Sequence, residues 1–109
     1  MNQMTKSRWE EMRTDETRMV EDALRKAFPK TDAYRYNSAS IRVRIIDQRF
    51  EGKSTEARDA MVEPLLDQLP EGIQADIMNL LTLYPDETSK SHKAFFANSE
   101  FEEPSPSLL

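Results

Sequence analysis

Cysteine is absent from the 109 residues, and that one gap removes disulfides, thiol nucleophiles, thiolate zinc sites and cysteine-ligated iron–sulfur clusters together. It also leaves the redox character of the compartment unreadable. Histidine occurs once, as His92 in the stretch expected to be a tail, which is no place for a Ser/His/Asp set, and a lone histidine in a polar segment reads as a surface residue. The start of the chain, MNQMTKSRWEEMRTDE, carries no apolar stretch of the signal-peptide kind, and no run of 18 apolar residues occurs anywhere. The expectation is a cytoplasmic chain with no membrane partner.

Glycine is nearly as scarce, with two residues. One of them, Gly52, stands in Gly52-Lys53-Ser54 and invites a phosphate-loop reading. The first glycine of that motif would fall on Asp47, a carboxylate that repels phosphate on a backbone without glycine's freedom. Nucleotide hydrolysis is therefore set aside. Gly52 reads instead as a turn residue with positive φ, and Ser54 as a helix N-cap.

What is present is charge. Twenty acidic and 15 basic residues give a net charge of −5, and 38% hydrophobic against 32% charged residues leave a thin single core under a wet surface. An acidic total weakly repels nucleic acid and anionic membranes, although a local basic face can override it.

The stretch SIRVRIIDQRFEGKSTE, residues 40–56, organises the chain. Ile41, Val43 and Ile45 alternate with Arg42 and Arg44 in a run rich in β-branched residues, so one face of a strand is apolar and the other carries arginines. Before it, Trp9, Met12, Met19, Val20, Ala23, Leu24, Ala27 and Phe28 predict a helix from about Thr5 to Phe28, ended by Pro29. Ala33 to Tyr36 forms a short partner strand of roughly four residues in a hairpin. After it, Phe50 anchors the turn, and Ala57, Met61, Val62, Leu65, Leu66 and Leu69 mark a helix with Pro64 inside it. That proline predicts a kink or two short helices meeting near Glu63.

Ile73 to Tyr84 reads as a strand, with a helix starting at Ile73 as the competing reading. The connection to it is long enough for a parallel crossover. Asp86 to Lys93 suits one or two helical turns, and EFEEPSPSLL an extended tail. The division expected is one α+β domain over 1–88 and a polar tail over 89–109, docked on itself or on a partner chain.

Ile41-Arg42-Val43-Arg44-Ile45-Ile46, then Phe50-Glu51-Gly52-Lys53-Ser54 with Arg58, Val62, Leu65 and Leu66, and finally Leu83-Tyr84-Pro85-Asp86-Glu87, together resemble the BolA family. The resemblance spans residues 41–87. It implies an α-β-β-α-(α)-β fold similar to the class II KH domain, with a three-stranded mixed sheet and helices on one face. The family places a histidine after the arginine that follows Gly-Lys-Ser, where this chain has Asp59. It places another near the start of the last strand, where this chain has Gln74, Ala75 and Asp76. Iron–sulfur ligation shared with a monothiol glutaredoxin is thus not implied here, and no cofactor or metal is expected.

Arg35, Arg42, Arg44, Arg49 and Lys53, with Tyr34 and Tyr36, are the candidate interaction surface, a basic patch with aromatic platforms. Sheet arginines of this kind are more often paired with acids such as Asp76 or Glu87. The carboxylate pairs Glu10-Glu11, Asp15-Glu16 and Glu102-Glu103 are neighbours in sequence that diverge on a helix, so they make no acid–base dyad. The expectation is a non-enzymatic protein-interaction domain that contacts a partner or a second copy through Phe95, Phe96, Phe101, Leu108 and Leu109. The alternative is a nucleic-acid binder using the arginine face.

Overall fold

A computed structural model describes residues 7–107. The expected start of the first helix at Thr5 and the apolar Leu108 and Leu109 lie outside the described residues. Within them the chain runs through a short 3-10 helix (Arg8–Met12), α1 (Asp15–Arg25), β1 (Thr31–Asn37), β2 (Ser40–Ile46) and a 3-10 turn (Gln48–Phe50). It continues through α2 (Thr55–Leu66), α3 (Glu71–Asp76), β3 (Ile77–Leu83), α4 (Glu87–Lys90) and α5 (His92–Glu102). The class is α+β, with the helix-strand-strand-helix-helix-strand order anticipated from the sequence.

The sheet has the order β1-β2-β3, with β2 antiparallel to β1 and parallel to β3. The strand of alternating arginines is therefore central, and its apolar face is the foundation of the main core. Ile41, Val43 and Ile45 are fully buried beneath Val20 and Leu24 of α1, Val62 of α2 and Ile73 of α3. Phe28 and Phe50 stack with ring centroids 5.6 Å apart and close the end of this layer. Full burial of each such large side chain contributes about 1.5–3 kcal/mol.

The first helix divides where apolar residues are missing. Thr14 adopts extended geometry, accepts a hydrogen bond from Thr17 N and donates its own N–H to Thr17 Oγ1. The polar stretch from Thr14 to Thr17 is thus a cap for α1 and not the middle of one helix. Glu21 and Arg25, four residues apart, make a helical ion pair at 3.7 Å. Glu10 instead accepts from the Ser7 N–H at 2.8 Å, leaving Arg13 to turn toward Glu21 and Asp32.

Three other local expectations are corrected. α2 remains one helix across Pro64, because the proline falls in its last turn and removes one bond near an end that is already losing partners. β3 begins at Ile77, not Ile73: Pro70 is extended and starts α3, from which Ile73 reaches the core. β1 spans seven residues instead of about four, and so takes in Asp32. Gly52 has φ +80°, and Ser54 Oγ accepts from Ala57 N at 3.1 Å, as the turn and cap reading requires.

Within the stretch 89–109, read from sequence as a polar tail docked on itself or on a partner chain, the chain builds α5 over His92–Glu102. Ser91 Oγ caps it by accepting from Ala94 N, and the helix lies over the outer face of the sheet. Phe101 is buried there against Trp9 and Tyr34, with ring centroids 5.4 and 4.8 Å away. Met12, Tyr36 and Leu81 pack around this trio as a second, smaller core.

Candidate functional site

The strand period places Asp32, Tyr34 and Tyr36 of β1 and Arg42 and Arg44 of β2 on the outer face. The hairpin register then sets Arg44 directly opposite Asp32 and Arg42 opposite Tyr34. Arg44 is nearly buried, with 6% of its surface exposed. Its guanidinium donates to Asp32 at 2.8 Å, to Glu102 at 2.7 Å and to Asn98 Oδ1 at 2.9 Å, and it lies over the Phe101 ring at 4.6 Å. Arg42 donates to the Tyr34 hydroxyl at 3.0 Å, reaches Glu100 at 3.4 Å and covers the Tyr36 ring at 3.7 Å.

These contacts set the titration of the group. Burial raises the Tyr34 phenol, while the bond from Arg42 moderates the rise. Burial disfavours the Arg42 charge, but the Tyr34 and Glu100 oxygens more than restore it, so its pKa is raised. The Glu100 carboxyl is lowered, first by the Ser105 N–H that it accepts at 3.0 Å. All three groups keep their ordinary charge at neutral pH, with Tyr34 as a neutral phenol.

The seven residues expected to form one basic surface are divided by the fold. Tyr34, Tyr36, Arg42 and Arg44 come together under α5. Arg35 instead bridges Glu16 and Asp76, both at 2.8 Å, on the α1 side. The Asp76 bond is the first cause of its raised pKa. Arg49 folds back on Asp47 at 2.8 Å and on the Ala27 carbonyl, over the Phe28 ring. Lys53 is exposed, and its ammonium makes no hydrogen bond or ion pair among the described residues. The acid expected to neutralise sheet arginines from position 76 does so. Glu87 serves Arg58, which ties α2 to the Thr82 carbonyl and to the start of α4 at 2.8 Å each.

Sequence reasoning missed Arg13, Glu21 and Asp32, which complete a charge network along the edge strand. Glu21 is buried and accepts from the Ala33 N–H at 2.9 Å and from Arg13 at 3.0 Å. An inward carboxylate of this kind satisfies an edge that would otherwise present free backbone donors. The available signal was period two: extending β1 by two residues puts Asp32 on the same face as Tyr34.

With the arginines paired, the exposed large apolar side chains among the described residues are Met19, Met78 and an adjacent aromatic pair on the outer side of α5. Phe95 and Phe96 are 49% and 65% exposed, and their rings meet edge to face at 5.5 Å. Phe96 stands between two shallow grooves. One, of about 450 Å³, runs along Thr88–His92 and is bordered by Lys90; the other, of about 610 Å³, is lined by Ser99, Glu100, Glu102 and Glu103. His92 is exposed, and no acid converges on it among the described residues. No group of three or more His, Cys, Asp or Glu side chains there is arranged to hold a metal ion. No described helix is long and apolar enough to cross a membrane.

No family model, curated protein or solved structure matches this chain.

Proposed function

We propose that this chain is a non-enzymatic protein-interaction domain of BolA/KH-like build, and that its contact surface is the Phe95–Phe96 ridge of α5. The observation that carries the reading is the contrast between two surfaces. Every arginine of the outer face holds carboxylate, amide or aromatic partners from its own chain, with Arg44 Nε the one buried donor there left without a partner among the described residues, whereas the most exposed aromatic pair has no cover. Exposed aromatic side chains flanked by charge are the composition of binding patches and their hot spots. The order of the elements and the parallel pairing of β2 with β3 support the BolA-like assignment.

Arg35, Arg42, Arg44 and Arg49 each hold a carboxylate of the same chain, so a nucleic acid would have to displace intramolecular partners to reach them. That cost weighs against the nucleic-acid alternative.

Photocrosslinking tests the proposal. A photoreactive phenylalanine analogue at position 96, introduced in the source cells, is expected to give discrete protein adducts, while the same group at exposed Glu51 gives none. Adducts to nucleic acid, or no adduct specific to position 96, would contradict it.

A further inference from the structure

The outer side of α5 carries an ordered sequence of chemistry. His92 and Lys93 are exposed in the first turn, Phe95 and Phe96 follow, then Ser99, and Glu103 is exposed at the C-cap, while Glu102 turns to Arg44. This order opposes the helix dipole, which favours acids at the amino end and bases at the carboxyl end. Glu102 is partly recompensed by Arg44, yet its side chain remains 48% exposed. His92, Lys93 and Glu103 have no ion pair among the described residues.

His92, Phe96 and Ser99 advance by four and three residues along one helix face, and the C-cap Glu103 lines the same groove as Phe96 and Ser99, so the four form one stripe. It is also a chemical palindrome. Laid antiparallel on a second α5 about an axis between positions 97 and 98, His92 meets Glu103 and Phe96 meets Ser99. His92 of each copy then faces an acid of the other. Each Phe96, standing at the border of its own two grooves, enters the acidic groove of the other copy beside Ser99. A parallel arrangement would set like charges together.

We infer that the occupant of the Phe95–Phe96 ridge is a second copy of this chain, joined through antiparallel α5 helices in an isologous two-fold contact. The inference rests on the protein-contact reading above and specifies its partner. An 11-residue helix is about 16 Å long, short of the area of a standard stable interface, so the dimer is weak and concentration-dependent.

Sedimentation velocity over a concentration series tests this with four variants of the full chain: Phe96→Ala, His92→Glu, Glu103→Lys and the double change His92→Glu plus Glu103→Lys. Wild type is expected to dimerise reversibly. Phe96→Ala and each single charge change should weaken the dimer roughly tenfold or more, and the double change should restore it to within about threefold of wild type. Both single charge changes agree better with the helix dipole than the native residues do, so their melting temperatures should hold or rise while dimerisation falls. A merely misfolded variant cannot give that pair of results.

The inference is overturned by a wild-type monomer up to about 1 mM, by a dimer insensitive to Phe96→Ala or to the single charge changes, or by a double change that fails to restore pairing. A wild-type monomer that still crosslinks from position 96 to a different protein would remove the self-pairing and retain the contact surface. Absence of both dimer and crosslink would remove both.

Discussion

Arg44 and Glu102 lie 2.7 Å apart, joining the central strand to the last helix across 58 residues of sequence. Asp32 holds the other side of the same guanidinium at 2.8 Å. The strongest basic signal in the sequence is thereby converted from a surface into a fastening. Arg44→Ala should cost about 3 kcal/mol, because it leaves Asp32 and the outer core without their shared cation. Glu102→Ala should cost less, about 1 kcal/mol, since its carboxylate is half exposed and Asp32 remains. Urea unfolding of the two single variants and the double variant checks both values and their coupling.

Phe101 is the apolar anchor of α5, whereas Phe95 and Phe96 of the same helix face outward. Phe101→Ala should destabilise the fold by about 3 kcal/mol and expose Trp9, shifting its emission to longer wavelength. Phe95→Ala and Phe96→Ala should each change stability by less than about 0.5 kcal/mol. Equal losses at all three positions would show that the helix packs differently.

How far such distinctions can be read from sequence depends on the range of the interaction. Ile41, Val43 and Ile45, the Gly52 turn and the Ser54 cap were legible because each rests on residues within a few positions. The burial of Arg42 and Arg44 was not legible, since it depends on a helix with weak apolar patterning that begins 48 residues after Arg44. Of the phenylalanines at 95, 96 and 101, nothing local says which one turns inward. Pro64 and the Ile73–Ile77 alternation misled for a related reason: an end effect and a short helix imitate a break and a strand.

Asp59 stands where the resembling family has a histidine, and its Oδ1 is buried without a hydrogen-bond partner. Burial raises its pKa, with Glu63 adding to the effect. A carboxyl whose folded pKa lies above its unfolded value binds more protons in the folded state between the two. Stability therefore falls as pH rises through that window, starting from the ordinary value of 3.8. Asp59→Asn should stabilise the protein by about 1 kcal/mol at pH 7, and its advantage should fade at lower pH, once the wild-type carboxyl is protonated. Thermal melts of both proteins across the acid range check the sign.

Gly52 has φ +80°, and no atom lies within 4 Å of where its Cβ would be. Gly52→Ala should therefore lose about 1 kcal/mol through backbone conformation alone, with no repacking of Phe50. Gly72 has no positive φ and equally open surroundings. Placed inside α3, Gly72→Ala should be neutral or stabilising by up to about 1 kcal/mol. Chemical denaturation of the pair separates strain from space.

The division of labour between a closed arginine face and an open aromatic ridge is most directly tested by one NMR titration of the labelled full chain. Its protein concentration is raised first, and single-stranded RNA is then added at low salt. The account predicts that the Phe95 and Phe96 ring resonances move with protein concentration. The Arg42 and Arg44 side-chain N–H signals should stay in place through both stages. Arginine signals that shift on RNA addition, with phenylalanine rings indifferent to concentration, would contradict it.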